Sequence, residues 1–138
     1  MRFMIIVKAN ADSEAGVLPS TELLEEMGQF NEQLVKAGVM LAGEGLLDTR
    51  KGARIHYDGD KRSVENGPFP LTSDLIAGFW LLQVKSKEEA VEWLKRAPFR
   101  EGHVEIRQVA EAEDFGANLT PELAAQEERL RAETAARH

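Results

Sequence analysis

The chain is 138 residues long, 43% hydrophobic and 30% charged, the proportions of one ordinary globular domain. Its 24 acidic and 17 basic residues give a formal charge of −7, a field that repels a phosphate backbone and argues against nucleic acid as a partner. It has no cysteine, which excludes disulfides, thiolate metal sites and a cysteine nucleophile, and suits a cytoplasmic protein.

Residues 3–7 are continuously apolar and predict a central strand buried on both faces. Lys8 ends the run too early for a signal peptide, and no stretch approaches the about 18–20 apolar residues of a membrane span. A polar loop is expected over residues 10–16. Ser20 then caps a helix over 20–37, with Leu23, Met27, Phe30 and Leu34 on its apolar side and Gly38 after its end. Residues 39–47 predict a strand in which Gly43 and Gly45 mark a bulge or a close backbone approach. Residues 53–57 and 62–66 bracket Asp58-Gly59 as a hairpin. This hairpin and the turn Asn66-Gly67-Pro68-Phe69 are expected to join the buried core, ahead of a second central strand at 75–84.

Ser86 and Glu89 form a capping box for a helix that turns Ala90, Val91, Leu94 and Ala97 inward and stops at Pro98. Residues 103–109 alternate, with Val104 and Ile106 on one side and His103, Glu105 and Arg107 on the other. A loop around residues 114–116 leads to a last helix, capped by Thr120 with Pro121 at its first position. That helix has the i,i+4 pairs Glu127–Arg131 and Glu133–Arg137 but few large apolar residues. We read residues 1–110 as an α+β, ferredoxin-like βαββαβ domain with an inserted β-hairpin, and 111–138 as a C-terminal loop and helical tail. Two helices cover only one face of a four-stranded sheet. The other face, apolar in both central strands, calls for a second copy, giving a homodimer with a cavity for a small molecule.

Four motifs sit in order along the chain: Gly43-Glu44-Gly45-Leu46, Asn66-Gly67-Pro68-Phe69, Gly78-Phe79-Trp80 with Glu88-Glu89-Ala90 and Trp93, and Val104-Glu105-Ile106-Arg107. In these the chain, over residues 1 to about 109, resembles the YCII-related family and its branch named for an Asp-Gly-Pro-Phe sequence. The resemblance implies a dimeric ferredoxin-like α/β barrel. Better-studied relatives carry a histidine on the first helix facing an aspartate across a pocket. The 20–37 helix of this chain has no histidine, and asparagine stands at position 66 where the branch has aspartate. Some members of the branch are encoded beside extracytoplasmic-function sigma factors, which implies a regulatory partner as an alternative to a small-molecule role.

The acid/base candidates are Glu44, a carboxylate set in an apolar strand, His56 on the hairpin, and Asp74 before the second central strand. The bland alternatives are a solvent-facing edge residue, a half-exposed hairpin histidine and a loop cap. Pro68, Phe69 and Trp80 are ligand-stacking candidates that packing alone also explains, and Arg107 is the candidate anion anchor, beside His103 and Glu105. The three histidines make no His-x-x-x-His pair, and Gly43-Glu44-Gly45 does not continue into a dinucleotide fingerprint, so no metal or cofactor is expected. Three readings stay open: a ligand-binding protein or enzyme, a non-catalytic interaction protein that uses the C-terminal helix, and a purely structural dimer.

Overall fold

The computed structural model describes residues 1–138. In chain order the elements are β1 (Arg2–Lys8), α1 (Ala11–Glu14), α2 (Thr21–Lys36), β2 (Met40–Gly45), β3 (Ala53–Asp58), β4 (Lys61–Asn66), β5 (Ile76–Gln83), α3 (Lys87–Leu94), β6 (Val104–Gln108) and α4 (Pro121–Arg137). The chain divides into two compact units, Met1–Gln108 and Val109–His138. No helix is long and apolar enough to cross a membrane.

The first unit is α+β. Its main sheet has the order β2-β5-β1-β6 with every neighbouring pair antiparallel, an arrangement compatible with a ferredoxin-like fold. Facing residues in antiparallel strands share a side of the sheet. Phe3 with Leu82, and Ile5 with Trp80 and Ile106, therefore point one way. Phe30 and Leu34 of α2 and Ala90 of α3 complete this core. Ile5, Leu34 and Leu82 are fully buried, each worth about 1.5–3 kcal/mol against exposure. The other side of the sheet carries Met4 opposite both Leu81 and Arg107, Ile6 opposite both Phe79 and Glu105, and Glu44 opposite Phe79.

Local chemistry sets the helix ends. The Ser20 hydroxyl accepts the Leu23 amide (3.1 Å) and Thr120 accepts that of Leu123 (3.3 Å). At α3 only half of the expected box forms: Ser86 Oγ accepts the Glu89 amide (3.1 Å), but the Glu89 carboxylate takes the Lys85 amide (2.8 Å). The segment read as a loop over 10–16 contains one helical turn. Asn10 Oδ1 accepts the Ser13 amide (2.8 Å) and Ser13 Oγ accepts that of Asn10 (2.9 Å), a reciprocal cap. In β2 the bulge lies between Met40 and Ala42, not at the glycines. Gly43 makes room for side chains rather than for backbone, since a Cβ there would lie 2.5 Å from Met40 Cε and 2.8 Å from Trp80 Cδ1.

The hairpin departs most from expectation. β3 and β4 make a separate two-stranded sheet turned by Gly59-Asp60, and they are largely exposed rather than part of the core. Hydrophobicity places a strand in a core only if a neighbouring strand accepts its edge, and neither hairpin strand pairs with the main sheet. In the second unit, the expected loop around 114–116 is a 3₁₀ stretch, Ala112–Asn118, interrupted at Gly116. α4 has no buried residue. Its Glu127–Arg131 pair forms at 3.0 Å, whereas Glu133 lies 3.9 Å from Arg129, one turn before it.

Candidate functional site

A cleft of about 660 Å³ opens where β1 runs out into α1. Its walls are Lys8, Asn10 and Ser13 on one side, the 71–73 loop on another, and Phe99, Glu101 and His103 from the segment leading into β6. Lys8 belongs to the run Met4, Ile6, Lys8 on the side of the sheet away from the helices, so the alternation that lines that side with apolar groups ends at an ammonium. Its side chain is only 18% exposed and lies 3.7 Å from the Glu105 carboxylate. Glu105 is also held by Arg107 Nη1 (3.2 Å). The Arg107 hydrogen bond first, then the charge of Lys8, hold the Glu105 carboxyl below its ordinary range.

The hydroxyls around the cleft are partly committed. Ser13 Oγ is occupied in the cap of α1, and Thr72 Oγ1 accepts the Asp74 amide (3.2 Å). The floor is tied by the Ala9 amide, which donates to the Leu75 carbonyl (3.0 Å). The lining joins the apolar Val7, Leu71, Phe99 and Val104 to a cation, Lys8, an imidazole, His103, hydroxyls and one further carboxylate, Glu101. Such a set suits hydrogen bonding to an anionic group on a molecule of small size.

Trp80 does not line the cleft. It is 5% exposed, and its indole N–H donates to Asn31 Oδ1 (2.9 Å). Its ring meets Phe30 edge-on (5.6 Å between centroids) and Phe99 likewise (6.1 Å). Phe99 is a cleft wall, so Trp80 braces that wall from behind.

A second cluster surrounds the Asn66-Gly67-Pro68-Phe69 turn. The Gly67 amide donates to the Gly52 carbonyl (3.0 Å), closing the base of the hairpin. A side chain at Gly67 would collide with the Thr49 carbonyl, so the backbones touch here, and the Gly67-Pro68 bond is cis. Thr49 Oγ1 donates to Glu14 (2.6 Å) and accepts the Phe69 amide (2.9 Å), while the Thr49 amide donates to the same carboxylate (3.2 Å). One acidic side chain of α1 thus holds the turn through one threonine. Arg54 stacks on the Phe69 ring at 3.8 Å. Beside Thr49, Asp48 is bound by Arg50 (2.8 Å), which lowers its carboxyl from an ordinary 3.8 to about 2.

The acid/base candidates occupy three separate places. Glu44 is exposed on β2, an edge strand, with β5 and β1 between it and Arg107 on β6. His56 is on the hairpin, with Nε2 2.8 Å from Glu65 Oε1, beside a depression of about 440 Å³ that Asp58, Lys61, Arg62 and Ser63 also line. Asp74 follows Ser73 in the loop but does not line the cleft, and its amide donates to Thr72 Oγ1 (3.2 Å). Pro68 is exposed and Phe69 half-buried under Arg54. No group of three or more His, Cys, Asp or Glu side chains is gathered to hold a metal ion.

The model of the YCII-related domain matches residues 1–113. The chain belongs to the YCII-related family. No curated protein matches it. The YCII-related match takes in the first unit, with its sheet, cleft and hairpin, and ends before α4 begins.

Sequence reasoning missed two residues of this YCII-related domain. Lys8 was read as the end of an apolar run. The signal for its role was the strand period, which puts it in line with Met4 and Ile6. Glu14 gave no signal, because its partner Thr49 is 35 residues away.

Proposed function

We propose that this chain is a homodimeric small-molecule-binding protein of the Asp-Gly-Pro-Phe-type branch, and that its ligand is a small organic anion held in the cleft at the end of β1. The observation that carries this reading is Lys8, whose side chain is only 18% exposed and lines a 660 Å³ cleft. Arg107 acts as the outer anion anchor, reaching the same site through the Glu105 carboxylate that it shares with Lys8. An enzymatic form of the reading takes its acid or base from Asp74, beside the lining loop, with Glu44 and His56 serving other surfaces, Trp80 backing the Phe99 wall, and Pro68 and Phe69 packing the hairpin base rather than reacting. The apolar row Met4, Ile6, Phe79 and Leu81 on the sheet side away from the helices supports the homodimer.

Native mass spectrometry of the purified chain, followed by thermal-shift titration with a panel of carboxylates and phosphates, tests it. A co-purified anion, or a panel member that stabilises the wild type but not Lys8→Met, is the expected result. No bound molecule and no shift from any panel member would sink the reading. A second reading, an interaction protein that works through its C-terminal helix, is favoured by one fact: α4 is 17 residues long with none buried. Truncation after residue 117 abolishes partner capture on that reading and leaves it intact on the first.

A further inference from the structure

We propose that the β3–β4 hairpin is an arm that docks its apolar side on a second copy of this chain. The register sorts the hairpin into two sides. Arg54–Glu65, His56–Ser63 and Asp58–Lys61 face one way; Ala53–Asn66, Ile55–Val64 and Tyr57–Arg62 face the other. The first side satisfies itself: His56 bonds Glu65 at 2.8 Å and Arg54 stacks on Phe69 at 3.8 Å. The second does not, for Ile55 is 53% exposed, Val64 64% and Tyr57 70%. A lone two-stranded ribbon is marginal in water and gains stability by covering its apolar side. Here the main sheet of the same chain does not pair with it.

Area chooses the occupant. The three residues expose about 350 Å² together, so one arm on an unrelated protein buries about 700 Å² over both partners, the size of a weak contact. Two arms exchanged about a two-fold axis bury about 1,400 Å², inside the range of specific interfaces. The apolar side has no carboxylate at a paired position and one cation, Arg62, stacked on Tyr57 at 4.8 Å. Tyrosine and arginine are both enriched among the residues that anchor interfaces.

This inference rests on the homodimer reading and can fail apart from it. The experiment places a photo-cross-linking benzophenone amino acid at Tyr57 of the full chain and measures self-association by sedimentation for wild type and for Ile55→Asp with Val64→Asp. The expected results are a cross-linked species of twice the chain mass and a dissociation constant raised about tenfold or more in the double variant, with its circular dichroism unchanged. A wild type that is monomeric at every concentration overturns both the arm and the homodimer. A dimer that ignores the double variant, with cross-links confined to one chain or to unrelated proteins, overturns the arm alone. The cross-link is read in an otherwise native chain, so a double variant that failed to fold would leave the test intact.

Discussion

Trp80→Phe separates the two jobs of the central aromatic side chain. Phenylalanine keeps a six-membered ring against Phe30 and removes the indole N–H that Asn31 Oδ1 accepts at 2.9 Å. Asn31 is half-buried, so leaving its carbonyl unmatched costs about 1–2 kcal/mol. The lost ring atoms add about 1 kcal/mol of transfer and cavity cost, since Trp80 is 5% exposed. The total of about 2–3 kcal/mol, at a urea m-value of about 2 kcal/mol/M, lowers the midpoint by about 1–1.5 M. In a double-mutant cycle with Asn31→Leu, the second change removes the orphaned acceptor and recovers about 1 kcal/mol. A coupling below about 0.3 kcal/mol would refute the claim that this hydrogen bond, rather than ring volume alone, fixes Trp80. The same variant tests the brace on Phe99: a ligand that binds in the cleft binds Trp80→Phe more weakly, whereas unchanged affinity would separate the cleft from its backing.

Gly67→Ala sets a methyl group into the Thr49 carbonyl and is expected to cost about 2–4 kcal/mol, with proteolysis of the hairpin as the sensitive readout. Thr49→Val removes the hydroxyl that links Glu14 to the Phe69 amide and costs about 1–2 kcal/mol, measured by urea denaturation. Asp48 titrates lower folded than its ordinary 3.8, at about 2. Its contribution is therefore full above pH 3.8 and lost as the pH falls toward 2, so wild type and Asp48→Asn differ in melting temperature at pH 6 and converge near pH 2. Removal of residues 118–138 leaves the urea midpoint of the first unit within about 0.3 M, because α4 contributes no buried residue; a larger loss would show that the helix supports the sheet.

The parts of this fold that could be read in the sequence are those governed by short-range rules. Ser20, Ser86 and Thr120 announce their helices through hydroxyls that reach backbone amides three residues on. The strands at residues 3–7 and 75–84 declare themselves by continuous apolar runs. α1 escaped notice because four residues carry no periodicity, although Asn10 and Ser13 already formed its cap. The hairpin was legible as a hairpin, although Asp58, expected in the turn, pairs with Lys61 and the turn is Gly59-Asp60. Its separation from the sheet was not, because which strand accepts an edge depends on segments far away in sequence. The candidate site divides in the same way. Arg107 and Glu105 follow from alternation, whereas the cleft needs Lys8, Ser73 and His103 from three distant segments.

The bond between the Gly67 amide and the Gly52 carbonyl makes the hairpin a self-closing insert. Both ends of the arm leave the domain at one point, pinned by Thr49 and Glu14. Its length and tip chemistry can therefore change in evolution, or by design, without disturbing the register of β2, β5, β1 and β6. On the two proposals above, partner choice and ligand chemistry become separable traits on one scaffold, the first written between residues 53 and 66 and the second in the cleft at the end of β1.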